Sequence, residues 1–280
     1  NKIDIAIYRA GLTVNSRSSI FSQKVAPIQI NFLAYPGTTG QDGVDYIISD
    51  KFVIPEKYEK YYSENIIFLT DCYYPRDNNR NISSKKFNKE ELGIDKETFV
   101  FCSFNNSYKI SHHEFDVWLR ILNKVKKSVL ILLESQKEMC ENLARYAIKN
   151  NIKSNRIIFL QKIDFEDHLA RHSICDLFLD SFNYNSHTTA VDALWTSLPI
   201  LTKVGESFPS RICGSLLNHM GLNELVVNSK EEYFNKAVEL AENPKKYNQI
   251  KEIIAKVKLS GNFFNTKKYT QNLERAFQTI

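Results

Sequence analysis

Five cysteines are all that the chain carries, and no two stand in a C-x-x-C spacing. Cys72, Cys102, Cys140, Cys175 and Cys213 are far apart and odd in number, which speaks against a zinc site or a disulfide framework. Most sit inside apolar runs and fit buried thiols of a reducing compartment. There is no run of about 18 apolar residues and no signal-peptide layout, so no membrane span is expected, and a cytoplasmic location is. Charge of one sign is scarce: Lys plus Arg is 37 against 32 Asp plus Glu, a net +5 spread along the chain. Without a basic block, nucleic acid is not an expected partner, while a mild positive field suits a small anionic ligand. Also missing are G-x-G-x-x-G, the P-loop, the G-x-S-x-G elbow, H-E-x-x-H and D-x-D, which removes the usual signatures of several hydrolases and metal sites. An initiator Met is missing too. "NKIDIAIYRAG" opens almost directly on a strand pattern, as a piece of something longer would.

What is present is a regular α/β alternation. The 280 residues suffice for one or two domains, with 43% hydrophobic and 25% charged residues. Strands are expected at 3–8, 28–34, 46–49 and 66–70. A polar segment follows, "YYPRDNNRNISSKKFNKEELGIDKE", which reads as a loop or linker with one helical turn near 88–92. After it, the strands "TFVFCSF", "SVLILLE", "RIIFL", "DLFLD", "PILTK" and "ELVV" alternate with helices. That pattern predicts a doubly wound parallel sheet, with ligands bound outside the carboxyl ends of its strands. Expected divisions are 1–90 for a first part with linker, 91–262 for the complete sheet domain, and 263–280 for a last helix packing elsewhere.

Four stretches carry candidate chemistry. "NYNSHTTAVDALW" joins a buried strand to a helix whose first N–H groups and positive dipole end suit a phosphate. Thr188 and Thr189 add hydroxyls there, and His187 adds a ring able to donate to an anion. Asp192, one turn on, could accept from a ribose hydroxyl. The simpler reading is that Ser186 or Thr188 only caps the helix. "SFNNSYKI" puts Lys109 at another strand's carboxyl end, either as a diphosphate partner or as a solvated surface lysine. In "FEDHLARH", His168 and Arg171 share a helix face and could meet a base or a phosphate, or serve structure alone. "YPGTTG" forms a tight loop exposing backbone N–H groups, as many turns do. In "SHHEFD", Ser111 and Glu114 make a capping box, which accounts for that cluster without a metal.

Taken together, "APIQINFLAYPGTTG", "DYIISD", "FCSFNNSYKI", "FNYNSHTTAVDALWTSLPILTKVGESFPSR" and "FFNTKKYTQNLERAF" resemble, in order, the catalytic region of the protein O-GlcNAc transferase and SPINDLY-like family, glycosyltransferase family 41. The resemblance runs along nearly the whole chain. It implies a GT-B fold of two Rossmann-like halves, the C-terminal one complete and the N-terminal one partial, with the last helix crossing back. It also implies an inverting, metal-independent transfer of GlcNAc from UDP-GlcNAc to Ser or Thr hydroxyls of a protein or peptide acceptor, with no cofactor. By the same resemblance Lys109 contacts the diphosphate and stabilises departing UDP, and His187, Thr188 and Thr189 bind the diphosphate. Asp192 holds the ribose, His168 packs on the uracil with Arg171 beside it, and Asn106 lies near the nucleotide. Pro36, Gly37, Thr38 and Thr39 border the sugar and acceptor.

The departures concern the donor. Phe165 stands where the animal enzyme has a ribose-touching Lys, leaving Asp192 with less help, and Leu12 replaces a His of many bacterial relatives. Two other readings therefore stand beside the first. One is a related O-fucosyl- or N-glucosyltransferase with another donor; the other is a nucleotide-sugar-binding module without turnover. The abundance of Asn, Lys and Ile suggests an AT-rich bacterial genome.

Overall fold

The computed structural model describes residues 2–280. Four isoleucine-rich strands open the chain, with two short helices between them. They are β1 (Ile5–Tyr8), α1 (Ser18–Ser22), β2 (Ile28–Asn31), β3 (Tyr46–Ser49), α2 (Glu56–Glu59) and β4 (Asn65–Phe68). They form a parallel sheet in the order β1-β2-β3-β4. β2 ends three residues before the pattern suggests, because Leu33 takes a φ of 91° and turns the chain out of the sheet.

The second half runs β5 (Phe99–Ser103), α3 (His112–Lys124), β6 (Ser128–Leu133), α4 (Lys137–Lys149), β7 (Ile157–Leu160), α5 (Phe165–Arg171) and β8 (Leu177–Leu179). It continues with α6 (Thr188–Trp195), β9 (Ile200–Lys203), α7 (Ile212–His219), β10 (Val226–Val227), α8 (Lys230–Glu242) and α9 (Pro244–Leu259). The sheet is parallel, in the order β10-β9-β8-β5-β6-β7. The chain winds one way from β5 and then the other from β8, so the sheet splits its direction between those two strands. In open α/β sheets the crevice at that point, beyond the carboxyl ends, is where ligands bind. α3 begins on the expected capping box of Ser111 and Glu114. The Glu114 carboxylate reaches further, accepting from Phe182 N–H at 2.8 Å and fixing the loop after β8.

Residues 69–98 connect the halves with only a 3₁₀ turn at Lys89–Leu92. A connection this long is unusual unless it has work to do. It is pinned to the C-terminal half: Lys89 Nζ lies 2.9 Å from Asp176, Ser83 N–H donates to Glu166 O, and Trp195 Nε1 donates to Arg80 O at 3.2 Å.

The last helix, α10 (Thr266–Phe277), leaves the C-terminal core and packs on the first sheet. Tyr269 and Ala276 are buried there with Ile47, Ile67 and Leu69, and Tyr269 donates its hydroxyl to Tyr73 O at 2.7 Å. Ser215 on α7 donates to Asp50 at 2.6 Å, and Arg211 Nε donates to Phe52 O at 3.0 Å. Gly214 faces the Phe52 ring so closely that a Cβ would sit 2.7 Å from it. The halves therefore meet through polar anchors, one tight contact, and Phe208 and Ile212 buried in the core of the first half.

Candidate active site

The crevice predicted by the strand order is a cleft of about 530 Å³, and both halves line it. From the C-terminal half come Asn106 and Lys109 after β5, His168 on α5, and His187, Thr188, Thr189 and Asp192 around the start of α6. Arg9, Leu33 and Ala34 come from the N-terminal half, and Tyr74 from the connection.

Beneath it lies a buried polar network. The fully buried Asp180, just after β8, accepts from Ser186 N–H at 2.6 Å, Ser181 N–H at 2.9 Å and the Thr202 hydroxyl at 2.6 Å. The Ser186 hydroxyl lies 2.7 Å from the same carboxylate and 3.0 Å from Asn105 Oδ1, which also accepts from the Thr189 hydroxyl at 2.8 Å. Burial pushes the Asp180 carboxyl up, while these donors and Lys109 oppose the shift. Such a network fixes the 181–189 loop rigidly.

The start of α6 is consequently left uncapped. His187 occupies the N-cap position without a side-chain cap bond, because Ser186 is spent on Asp180 and the Thr188 hydroxyl pairs with Tyr74 at 2.7 Å. The capping interpretation of Ser186 or Thr188 thus fails. Among the described residues, no partner accepts from the backbone N–H of Thr188 or Thr189. Unpaired N–H groups at the positive end of a helix form an anion site.

Lys109 completes it. Its ammonium lies 3.1 Å from Asn185 O and 4.2 Å from the centre of the Tyr184 ring. Burial lowers its pKa, and the Asp180 charge beneath pulls the other way. His187 stacks on Tyr184 at 4.8 Å, and its Nε2 faces Pro209 O at 3.3 Å. A carbonyl only accepts, so Nε2 carries the proton. Burial, helped by Lys109, lowers the ring's pKa to about 3. The neutral ring therefore donates to the protein, where the sequence suggested donation to an anion.

At the far end the exposed Phe165 and the half-buried His168 offer rings to a planar group, with the buried Phe104 behind them. Burial, then Arg171, lowers the His168 pKa to about 4, and its Nδ1 accepts from Arg171 Nε at 2.8 Å. Arg171 itself does not reach the cleft. It is 3% exposed and donates to Gln161 O at 2.7 Å, with its guanidinium over Phe104. It positions His168 instead of meeting a ligand.

The Pro36–Thr39 loop lies outside the main cleft. Pro36, Gly37 and Thr38 line a separate hollow with Tyr58, Tyr62 and Pro209. Thr39 N–H and hydroxyl both donate to Glu64 at 2.7 Å, and the Thr38 hydroxyl donates to it at 2.5 Å. The threonines turn inward to satisfy a buried carboxylate. Leu33 and Ala34 border the main cleft in their place.

Two residues of the connection escape the sequence reading. Arg80 forms an ion pair with Asp192, with both side chains nearly buried, and Tyr74 holds Thr188. Asp192 thus does not stand alone opposite Phe165. Burial pushes its carboxyl up to about 6 against the pull of Arg80. Among the described residues, no three His, Cys, Asp or Glu side chains gather as metal ligands.

The chain is 34% identical over 283 residues to the probable UDP-N-acetylglucosamine–peptide N-acetylglucosaminyltransferase SEC of Arabidopsis thaliana, covering 99% of this chain and 29% of that protein. It is 32% identical over 186 residues to the Caenorhabditis elegans UDP-N-acetylglucosamine–peptide N-acetylglucosaminyltransferase, covering 66% and 16%. The chain spans less than a third of the length of these relatives. A Thermobaculum terrenum O-GlcNAc transferase structure superposes with a TM-score of 0.90 at 26% identity, over 99% of this chain and 52% of that one. The pneumococcal O-GlcNAc transferase GtfA, at 12% identity and a TM-score of 0.59 over 100% of this chain and 57% of that one, shares the GT-B fold. The sequence profile of glycosyl transferase family 41 matches residues 1–89 and 82–273. The chain belongs to that family.

Proposed function

We propose that this chain is the donor-binding part of an inverting protein O-glycosyltransferase, which moves GlcNAc from UDP-GlcNAc to a Ser or Thr hydroxyl without a metal. One observation carries the proposal: the Lys109 ammonium and the unpartnered N–H groups of Thr188 and Thr189 line the same cleft at the sheet's reversal point. In the displacement, the acceptor oxygen bonds to the anomeric carbon as the carbon–oxygen bond to the β-phosphate breaks. The acceptor's proton passes to solvent, and the electron pair of the broken bond gathers as charge on the departing diphosphate. Lys109 and the helix N–H groups stabilise that charge in a partly dry, preorganised site. The aromatic end with His168 takes the uracil, and Asp192 accepts from the ribose while Arg80 holds it. The names of the relatives, which join UDP-N-acetylglucosamine to a peptide, support this donor and acceptor.

The test is Lys109→Met in the complete protein. Transfer to peptide should fall by a factor on the order of 10²–10³, as when one oxyanion donor is lost, while UDP-GlcNAc affinity changes far less. EDTA should leave wild-type transfer unchanged. Near-normal transfer by the variant would overturn the leaving-group role. Melting shifts given by GDP and not UDP would replace the donor with a GDP-sugar.

A further inference from the structure

A second pocket, of about 280 Å³, lies where the chain passes between the halves, and it shares no lining residue with the main cleft. Arg76 of the connection forms one wall, Asn262 and Phe263 of the final crossing another, and His219 at the end of α7 and Lys268 on α10 the rest. Arg76 is 5% exposed. Its guanidinium lies 4.7 Å from the centre of the Phe263 ring, and its buried Nε has no hydrogen-bond partner among the described residues. No carboxylate of the described residues pairs with it. Asp71, the one acid on the pocket wall, is engaged by Lys268 at 3.0 Å and by Asn272 Nδ2 at 3.1 Å.

A buried guanidinium without a counter-charge is costly, and its planar fork matches an oxyanion better than any other ligand. We infer that this pocket binds a phosphoryl group, which Arg76, Lys268 and Asn262 contact from different segments. Donor-bearing side chains from three segments of the chain line the pocket and suit a tetrahedral oxyanion; a planar carboxylate would use the arginine fork alone. His219 is braced at the pocket wall by its Nδ1–H bond to Ser215 O at 2.8 Å. A bound phosphoryl group would tie the connection and the last helix to the C-terminal half, and so stiffen the crossing. The inference does not depend on the donor proposed above.

The experiment is thermal melting of the complete protein in inorganic phosphate at tens of millimolar, with chloride at equal ionic strength as control and citrate as the carboxylate arm. Because the main cleft also attracts anions, Lys109→Met is measured in parallel. Phosphate should raise the melting temperature by several degrees in the wild type and in Lys109→Met, and by much less in Arg76→Met, which keeps the packing on Phe263. If Arg76→Met does not fold, Lys268→Met serves, and its shift should be reduced. An undiminished shift in the arginine variant, or in Lys268→Met where that variant serves, would overturn the site. So would a wild-type response no larger to phosphate than to chloride, and a larger response to citrate would overturn the phosphoryl assignment.

Discussion

The guanidinium of Arg80 pairs with the carboxylate of Asp192 across 112 positions of sequence, joining the connection between the halves to the first turns of α6. A connection with a single 3₁₀ turn thereby holds an acidic group of the main cleft. The pair is nearly buried, and burial outweighs the arginine: the Asp192 carboxyl titrates near 6.

That value sets a pH dependence for donor binding. Above about pH 6 Asp192 is ionised and able to accept from the ribose hydroxyl that the proposed function assigns to it; below it, the proton removes that acceptor. UDP-GlcNAc affinity should therefore weaken as pH falls from 7 to 5, approaching tenfold per unit below the midpoint. The diphosphate diester does not titrate in this range, and His168 and His187 titrate near 4 and 3. In Arg80→Met the midpoint should move upward, since the arginine is what lowers it. Calorimetric titrations across this range check both; a flat affinity profile would remove Asp192 from the ribose.

A second pH effect concerns stability, and here the sign is opposite for His and Asp. His168, His187 and the buried His172 all have pKa values lowered chiefly by burial. Below about pH 6.5 the unfolded histidines take up protons that the folded ones refuse, so stability is lost as pH falls. Three such groups give a slope approaching about 4 kcal/mol per pH unit. Asp192 works the other way between its unfolded value of 3.8 and about 6, holding a proton that the unfolded chain releases. Burial raises the Asp180 carboxyl too, but three histidines outweigh two acids, so the urea midpoint should drop between pH 7 and pH 5. His168→Gln should flatten the drop by one proton's share. An equal midpoint at both pH values would mean these rings are charged in the folded state.

Much of this was legible in the sequence wherever local pattern decides. The "YIIS" strand at Tyr46–Ser49 falls where expected because a two-sided apolar run ends there in a turn. Lys109, His187, Thr188, Thr189 and Asp192 stand at strand ends and on one helix face, which spacing alone reveals. The failures share a physical cause. Arg171 and His168 do meet, as residues three apart on a helix should, but that face turns toward Phe104 and Gln161 O. "ELVV" yields only a two-residue strand, because Leu225 belongs to a 3₁₀ turn. Tyr74 and Arg80 leave no periodic trace, since their partners lie in another domain.

The approach of Gly214 to Phe52 between the halves gives a packing prediction. Gly214 lies inside α7, where alanine would ordinarily favour the helix by up to about 1 kcal/mol. A Cβ there would sit 2.7 Å and 2.9 Å from two Phe52 ring atoms. Overpacking of this kind costs about 1–3 kcal/mol, so Gly214→Ala should lower stability. Phe52→Leu should restore most of the loss in the double variant, which a double-mutant cycle by urea unfolding would measure. Additive effects of the two substitutions would mean the halves separate there freely.

Asp180 provides the most direct test of how the site is held. Its Oδ1 accepts from Ser186 N–H at 2.6 Å, and its Oδ2 accepts from the Thr202 hydroxyl at 2.6 Å. In Asp180→Asn one of these acceptors becomes an NH₂ group. Either Ser186 N–H meets a donor, or Thr202 must rotate its hydroxyl to accept. Losing charge-assisted bonds to buried donors costs about 1–3 kcal/mol, although removing a buried charge offsets part of it. The larger effect should fall on transfer. Burial lowers the Lys109 pKa, and Asp180 is the first charge opposing that shift, so the variant lysine should lose protons more readily. Loosening of the Ser186 anchor also disturbs the N–H groups at the start of α6. Transfer to peptide should fall, and by more at pH 8 than at pH 6.5, because the variant Lys109 more readily gives up the charge that stabilises the departing diphosphate. A loss that is equal at both pH values would assign the whole effect to the loop, and no loss at all would separate Asp180 from the site.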